Sequence, residues 1–364
     1  MNRFKLLSAS LLLQAKISPA AIAAQFKSNR APSAGAPQYI SPENIKIATL
    51  QMALQPYHSL REYLEHLHSL VQQGAQKGAQ LICFPEFTGL LPLLISMTHY
   101  DACLDLADAL LSGDAQTAGA LVAHYQEYLA APLFDCYYNV FSLLAHHYQV
   151  YLMAGSAVIA QKEGLYNRSF LFAPSGDCIL EQDKLYLTPL EEQLGFVPGQ
   201  ALEVAPTPLG RLAVLPGKDS RTFEPAKVAA AQGAQILLCP WGLHHTHSLA
   251  FYQSGPFMRC QEQQVFAAVS SLVGDFDHFT FRGQSGIYGP YEASRTGTGV
   301  LAQSPSLTEE NVLISRVNLE RLNRPMNLRT ADVNPALYQQ LKQAYASLKT
   351  QAVPPPPAPE EEEP

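Results

Sequence analysis

Three stretches of the chain carry ionisable side chains where a strand end or tight loop can hold them still. Cys83-Phe84-Pro85-Glu86-Phe87 sets a carboxylate at the end of an apolar strand. Asp183-Lys184-Leu185-Tyr186-Leu187-Thr188-Pro189-Leu190-Glu191, which follows Tyr166-Asn167-Arg168-Ser169, offers an amine and a second carboxylate. The third runs from Gly210 through Pro216-Gly217-Lys218-Asp219 and is followed by Glu224 and by Gln232-Gly233-Ala234-Gln235-Ile236-Leu237-Leu238. A carboxylate can move protons, and a fixed ammonium can steady an oxyanion. A covalent route would also need a thiolate or an activated hydroxyl beside them.

The six cysteines, Cys83, Cys103, Cys136, Cys178, Cys239 and Cys260, include no C-x-x-C pair. They read as small buried hydrophobes in a reducing compartment, which points to a cytoplasmic protein. Cys239, before Pro240-Trp241, and Cys260, after Arg259, are the two able to approach a cleft, and the expectation for both is burial and inertness. Ser220 fares no better. His244, His245 and His247 have chelating spacing but no nearby thiol or paired carboxylate, so the reading is a solvated loop and no metal is expected. Asn167-Arg168-Ser169 is a glycosylation sequon only in a secreted protein, and here it reads as part of a core strand. No motif implies a cofactor.

The elements that must position these residues are legible from periodicity. Ile45 to Met52 reads as a buried strand, Leu60 to Gln80 as an amphipathic helix with Leu60, Leu64, Leu67 and Val71 on one face, and Leu81 to Pro85 as a second strand. A mostly helical stretch follows over 90–147. Strands are predicted at Tyr151 to Ile159, Tyr166 to Ala173 and Cys178 to Gln182, the last two joined by a Pro174-Ser175-Gly176-Asp177 turn. The second half repeats the logic: a strand at Arg211 to Leu215, a helix around Glu224 to Gln232, then strands at Ile236 to Cys239, Val265 to Leu272, Ser285 to Tyr288 and Val312 to Val317. Two βα halves in one chain indicate a layered α/β architecture.

Of 364 residues, 47% are hydrophobic and only 15% charged, against about 25% charged in an ordinary soluble domain. A large core follows, and disorder as the main state is excluded. The net charge is −7, which argues against a nucleic-acid surface. So little surface charge favours association, so a homodimer or higher homo-oligomer is expected. No run of about 18 apolar residues supplies a membrane span. Residues 1–43 form a basic extension and linker, 44–337 the folded domain, 338–351 a C-terminal helix and 352–364 a disordered Pro/Glu tail. Within the extension, Phe4, Leu7, Leu11, Ala15 and Ser18 fall at helical spacing. A short signal peptide ending near Ala21-Ile22-Ala23, and hence export, is the alternative.

In their order and spacing the three islands resemble the nitrilase superfamily, the carbon-nitrogen hydrolases, over roughly Asn44 to Leu337. The resemblance implies a four-layer αββα sandwich that usually dimerises. It also implies a Glu-Lys-Cys site in which the thiolate attacks a carbonyl or nitrile carbon. Glu86 and Lys184 match the first two, and Glu191 matches an additional glutamate near the reacting centre. Tyr166-Asn167-Arg168 and Arg282-Gly283-Gln284-Ser285 fit further family segments, and Tyr166, Lys218 and Trp241 are the expected substrate contacts. The cysteine position falls on Gly217, 33 residues after Lys184, the family's usual separation. Pro216 and Lys218 replace the family's flanking residues, and Pro216-Gly217 suits the centre of a type II turn.

The reading is a homologue that keeps the Glu-Lys-Glu pocket without the nucleophile and binds a small amide-like or carboxylate ligand, or serves as a partner subunit. The alternative is an active hydrolase of a linear amide, nitrile or N-carbamoyl compound that uses another nucleophile or water activated by Glu86. A third reading is an interaction protein that recruits partners through its acidic tail.

Overall fold

The first residues form helices packed into the body, contrary to the expected extension. The computed structural model describes residues 3–28, 40–242, 254–276, 279–294, 297–322 and 334–348. Helices α1 (Arg3–Lys16) and α2 (Pro19–Ser28) open the chain, and Leu13, Ile17 and Ile22 join the main core. The buried face of α1 is Leu6, Ser10 and Leu13, continued by Ile17 just past its end, whereas Phe4 is 78% and Leu11 56% exposed. The expected stripe therefore lies on the wrong side. A helix apolar on most sides has little moment to fix its rotation. Ser10 fixes it instead, its hydroxyl 2.9 Å from both His99 Nε2 and His124 Nε2.

Strand β1 (Ile45–Ala53), helix α3 (Leu60–Gln76) and strand β2 (Leu81–Cys83) form the βαβ opening. Ser59 caps α3 by accepting from the Glu62 N–H, and Leu60, Leu64, Leu67 and Val71 are buried beneath it. The following stretch comprises a 3₁₀ segment (Thr88–Ile95), helices α4 (Met97–Ser112) and α5 (Ala115–His124), one π turn (Tyr125–Leu129) and α6 (Ala130–Tyr148). Strands β3 (Tyr151–Gln161), β4 (Gly164–Phe172) and β5 (Cys178–Asp183) then meander antiparallel before the short helix α7 (Pro189–Gln193).

The second half contains β6 (Ala205–Thr207), β7 (Gly210–Val214), a 3₁₀ turn (Gly217–Ser220), α8 (Phe223–Ala231), β8 (Ile236–Trp241) and α9 (Pro256–Gln263). Strands β9 (Phe266–Phe276), β10 (Phe279–Phe281), β11 (Gly286–Tyr288), β12 (Val300–Gln303) and β13 (Asn311–Val317) complete it.

The ladders give two six-stranded runs, β5-β4-β3-β2-β1-β13 and β6-β7-β8-β9-β11-β12. They join where β1 leaves β13 and pairs in parallel with β9 over Gln51–Ala53. Ser270 staples this seam, its hydroxyl donating to the Cys83 carbonyl at 2.7 Å and accepting from the Leu50 N–H. Ala48, Leu50, Ile82 and Phe84 share one core with α3 and α6, while Ala213, Leu215, Leu237 and Cys239 share another with α8 and α9. The alternate residues Ile47, Leu81, Cys83, Leu212, Val214, Ile236 and Leu238 are fully buried as well. Strand side chains alternate between faces, so each sheet is covered by helices on one face and by the other sheet on its second, the αββα arrangement.

The chain divides into compact units of residues 1–322 and 323–364. In the second, α10 spans Pro335–Leu348, beginning ahead of residue 338. The Pro/Glu tail lies outside the described residues. No single helix among the described residues is long and apolar enough to cross a membrane.

Candidate functional site

Glu86 leaves the end of β2 through a forced backbone turn. Phe87 is left-handed at φ 65, and its N–H donates to Ser156 Oγ at 2.9 Å. Gly155 on β3 makes the turn possible, because a Cβ there would run into the Pro85 carbonyl oxygen. Lys184 follows β5, with its N–H on the Asn167 carbonyl and its own carbonyl accepting from Gly199. Glu191 is the third residue of α7 and closes a capping box with Thr188. Thr188 gives both its N–H (2.8 Å) and its hydroxyl (2.9 Å) to Glu191 Oε2.

Three separate elements thus converge on one ammonium. Lys184 Nζ lies 2.9 Å from Glu86 Oε1 and 2.8 Å from Glu191 Oε1, all three side chains being nearly fully buried. Asn167 Nδ2 donates to the same two oxygens at 2.8 and 3.0 Å, and the Gly242 N–H donates to Glu86 Oε2 at 3.1 Å. Burial pulls Lys184 down, but the two carboxylates outweigh it and hold the ammonium up at about 12. Burial pushes Glu86 above its ordinary value despite Lys184, and Glu191 adds to the rise. Burial also acts to raise Glu191, yet Lys184 and the Thr188 N–H bring it below its ordinary value. The site therefore pairs a carboxylate with an elevated proton affinity with a persistent cation, and one ammonium hydrogen remains for a ligand oxygen.

Gly217 faces this trio. At φ +48, a Cβ built on it would stand 2.8 Å from Glu86 Oε2, 3.0 Å from Lys184 Nζ and 3.1 Å from Glu86 Oε1. Pro216 (φ −71, ψ 137) and Gly217 (φ +48) have the backbone signs of a type II centre, as the Pro-Gly pair predicts, and an overlapping turn follows in which the Asp219 N–H donates to the Pro216 carbonyl. The Leu215 N–H just before it stays in the ladder on the Leu238 carbonyl. Buried Asp219 accepts from the Leu185 and Tyr186 N–H groups at 2.8 and 2.7 Å, tying the turn to the lysine loop. Burial pushes Asp219 up to about 7 even so.

A cavity of about 600 Å³ opens over the trio, and Gly217, Lys218, Arg221 and Arg282 share its wall with a large apolar surface. Lys218 Nζ donates to the Leu187 carbonyl at 2.7 Å. Two expected substrate contacts lie elsewhere. Tyr166 neighbours Asn167 along β4, so strand alternation turns it to the opposite face. Trp241 is buried in the core under α8 and α9, where its indole N–H donates to Ser220 Oγ at 2.8 Å. That hydroxyl in turn donates to the Gly217 carbonyl at 2.8 Å.

Cys239 and Cys260 share the same core, and burial raises both thiols far above their ordinary value. Cys103 reaches the cavity wall on α4, but burial raises its thiol to about 12. Among the described residues no group of three or more His, Cys, Asp or Glu could hold a metal ion. His244, His245 and His247 lie outside the described residues. Asn167 and Gly242 complete the site beyond the residues the sequence marks: Asn167 lies inside the Tyr166-Asn167-Arg168 segment, and Gly242 carries no side-chain signal.

The chain belongs to the carbon-nitrogen hydrolase family, whose profile matches residues 46–324. It is 24% identical over 294 residues to a probable hydrolase of Bacillus subtilis, covering 79% of this chain and 52% of that protein, about half its length. An omega-amidase of Xenopus laevis is 24% identical over 287 residues, covering 76% of this chain and 90% of the relative. Among solved structures, an amidase from Nesterenkonia sp. superposes with a TM-score of 0.61 at 19% identity, covering 84% of this chain and all of the other. That likeness establishes the shared fold.

Proposed function

We propose that this carbon-nitrogen hydrolase homologue binds a small carboxylate or amide in the Glu86-Lys184-Glu191 pocket and forms no acyl-enzyme. The observation that carries this reading is Gly217, whose absent Cβ would point straight at Glu86 and Lys184. Without a thiol there, no thioester can form. The carboxylate and ammonium keep the capacity to accept a hydrogen bond from a ligand N–H or acid and to donate one to its oxygen. The other cysteine sulfurs supply no substitute, because buried apolar surroundings keep them protonated.

A second reading has one observation in its favour. Glu86 holds its proton more tightly than an ordinary carboxylate, as a general base acting on water would need to. Hydrolysis of a linear amide would then proceed without a covalent intermediate. Calorimetric titration with short carboxylates and primary amides tests the preferred reading. Saturable binding that is lost in Lys184→Met is expected, and no binding by any member would overturn it. The low charge content also leads us to propose a homo-oligomer, which a monomer peak in light scattering would contradict.

A further inference from the structure

The wall of the pocket combines charged and aliphatic side chains. Among the described residues its charged lining is Lys184, Lys218, Arg221 and Arg282 with Glu86 and Glu191. The rest is largely aliphatic: Leu90 and Leu94 of the 3₁₀ segment, Leu106 and Leu110 of α4, Leu190 of α7 and Leu194 just past its end all line it. Cys103, Leu106, Ala107 and Leu110 follow i, i+3, i+4, i+7 spacing, so α4 turns an entire helical stripe toward the cavity. Pro92 sits in the segment that carries Leu90 and Leu94.

We infer that the ligand is an aliphatic monocarboxylate of medium chain length, with its carboxylate at Lys184 and its chain along the leucines of the wall. The inference rests on the ligand-binding reading above and narrows it in two respects, head charge and tail length. A short polar amide would leave the leucine wall facing water, whereas an alkyl chain removes that surface from solvent. The ammonium hydrogen that Lys184 has left for a ligand oxygen, with Lys218 and Arg282 on the same wall, favours an anion over a neutral amide of the same length. The volume suits such a chain, since small-molecule pockets commonly span about 300–1,000 Å³.

The test is a homologous series, acetate through decanoate, measured by calorimetry on the full chain below micelle-forming concentrations, with octanamide and octylamine as head-group controls. Each methylene added between butyrate and octanoate should tighten binding about fourfold. Octanoate should outbind octanamide by about tenfold, the worth of about 1.4 kcal/mol of charge preference, and octylamine should not bind. Leu110→Trp, which fills space beside the lining leucines, should move the tightest-binding member to a shorter chain. A series flat in chain length, an optimum unmoved by Leu110→Trp, or octanamide equal to octanoate overturns the inference while leaving the ligand-binding reading standing. Failure of every member, acetate and short amides included, overturns both.

Discussion

Replacing Lys184 with Met should expose how strongly the trio is coupled. The side chain is of similar size and apolar, so packing changes little, but the cation shared by Glu86 and Glu191 disappears. Their Oε1 atoms, bonded to the same nitrogen at 2.9 and 2.8 Å, would keep only the Asn167 amide between them. Removing one partner of a buried ion pair costs about 3–5 kcal/mol, and with two stranded carboxylates the expectation is the upper part of that range. Denaturant unfolding at pH 8 would read it. The sign of the pH dependence follows from linkage. Without Lys184 both carboxylates have folded pKa values raised above their unfolded ones, so the variant is relatively most stable below pH ~4 and loses stability as pH rises through the raised values. The deficit against the unaltered chain should therefore shrink on acidification, and adding Glu86→Gln should recover a large part of it at pH 8. A cost under about 1 kcal/mol, independent of pH, would refute the account of a buried, coupled network.

The remaining predictions concern backbone, titration and packing. Gly155→Ala should prevent stable folding, because its Cβ would overlap the Pro85 carbonyl oxygen, whereas Gly119→Ala in α5, with nothing within 4 Å of its Cβ, should stabilise by about 0.5–1 kcal/mol. Thermal melts of the two variants test this pair. Asp219, pushed up to about 7 by burial, holds a proton in the folded chain that it has released when unfolded. Its contribution is complete below pH ~4 and fades as pH rises through about 7. The stability difference between the unaltered chain and Asp219→Asn should change across that window, and a constant difference would contradict it. Leu13→Ala should cost about 2–5 kcal/mol and Leu11→Ala less than about 0.5 kcal/mol. The reverse order would show that α1 packs on its other face.

Much of this was readable from residue order. Leu60, Leu64, Leu67 and Val71 gave α3 its buried face, and the islands around Glu86, Lys184, Glu191 and Gly217 do meet in space. The misses have specific physical causes. Tyr166 and Asn167 are adjacent, and only the pleat of β4 decides which of them enters the pocket. That parity depends on pairing register, which no local pattern in the segment reveals. Trp241 ends a strand next to the site, but Gly242, one residue on, is the group that meets Glu86, and it does so with a backbone N–H. The rotation of α1 hinges on Ser10 meeting His99 and His124, partners 89 and 114 residues away. The leucine lining was equally hidden, since Leu90, Leu106 and Leu190 come from three separate elements and only the fold brings them to one cavity.

Ammonia release by the unaltered chain, across linear amides, nitriles and N-carbamoyl compounds, tests the central claim most directly. With Gly217 at the position facing Glu86 and Lys184, the account predicts no release above buffer for any compound. Sustained release that disappears in Glu86→Gln would contradict it and establish hydrolysis without a cysteine.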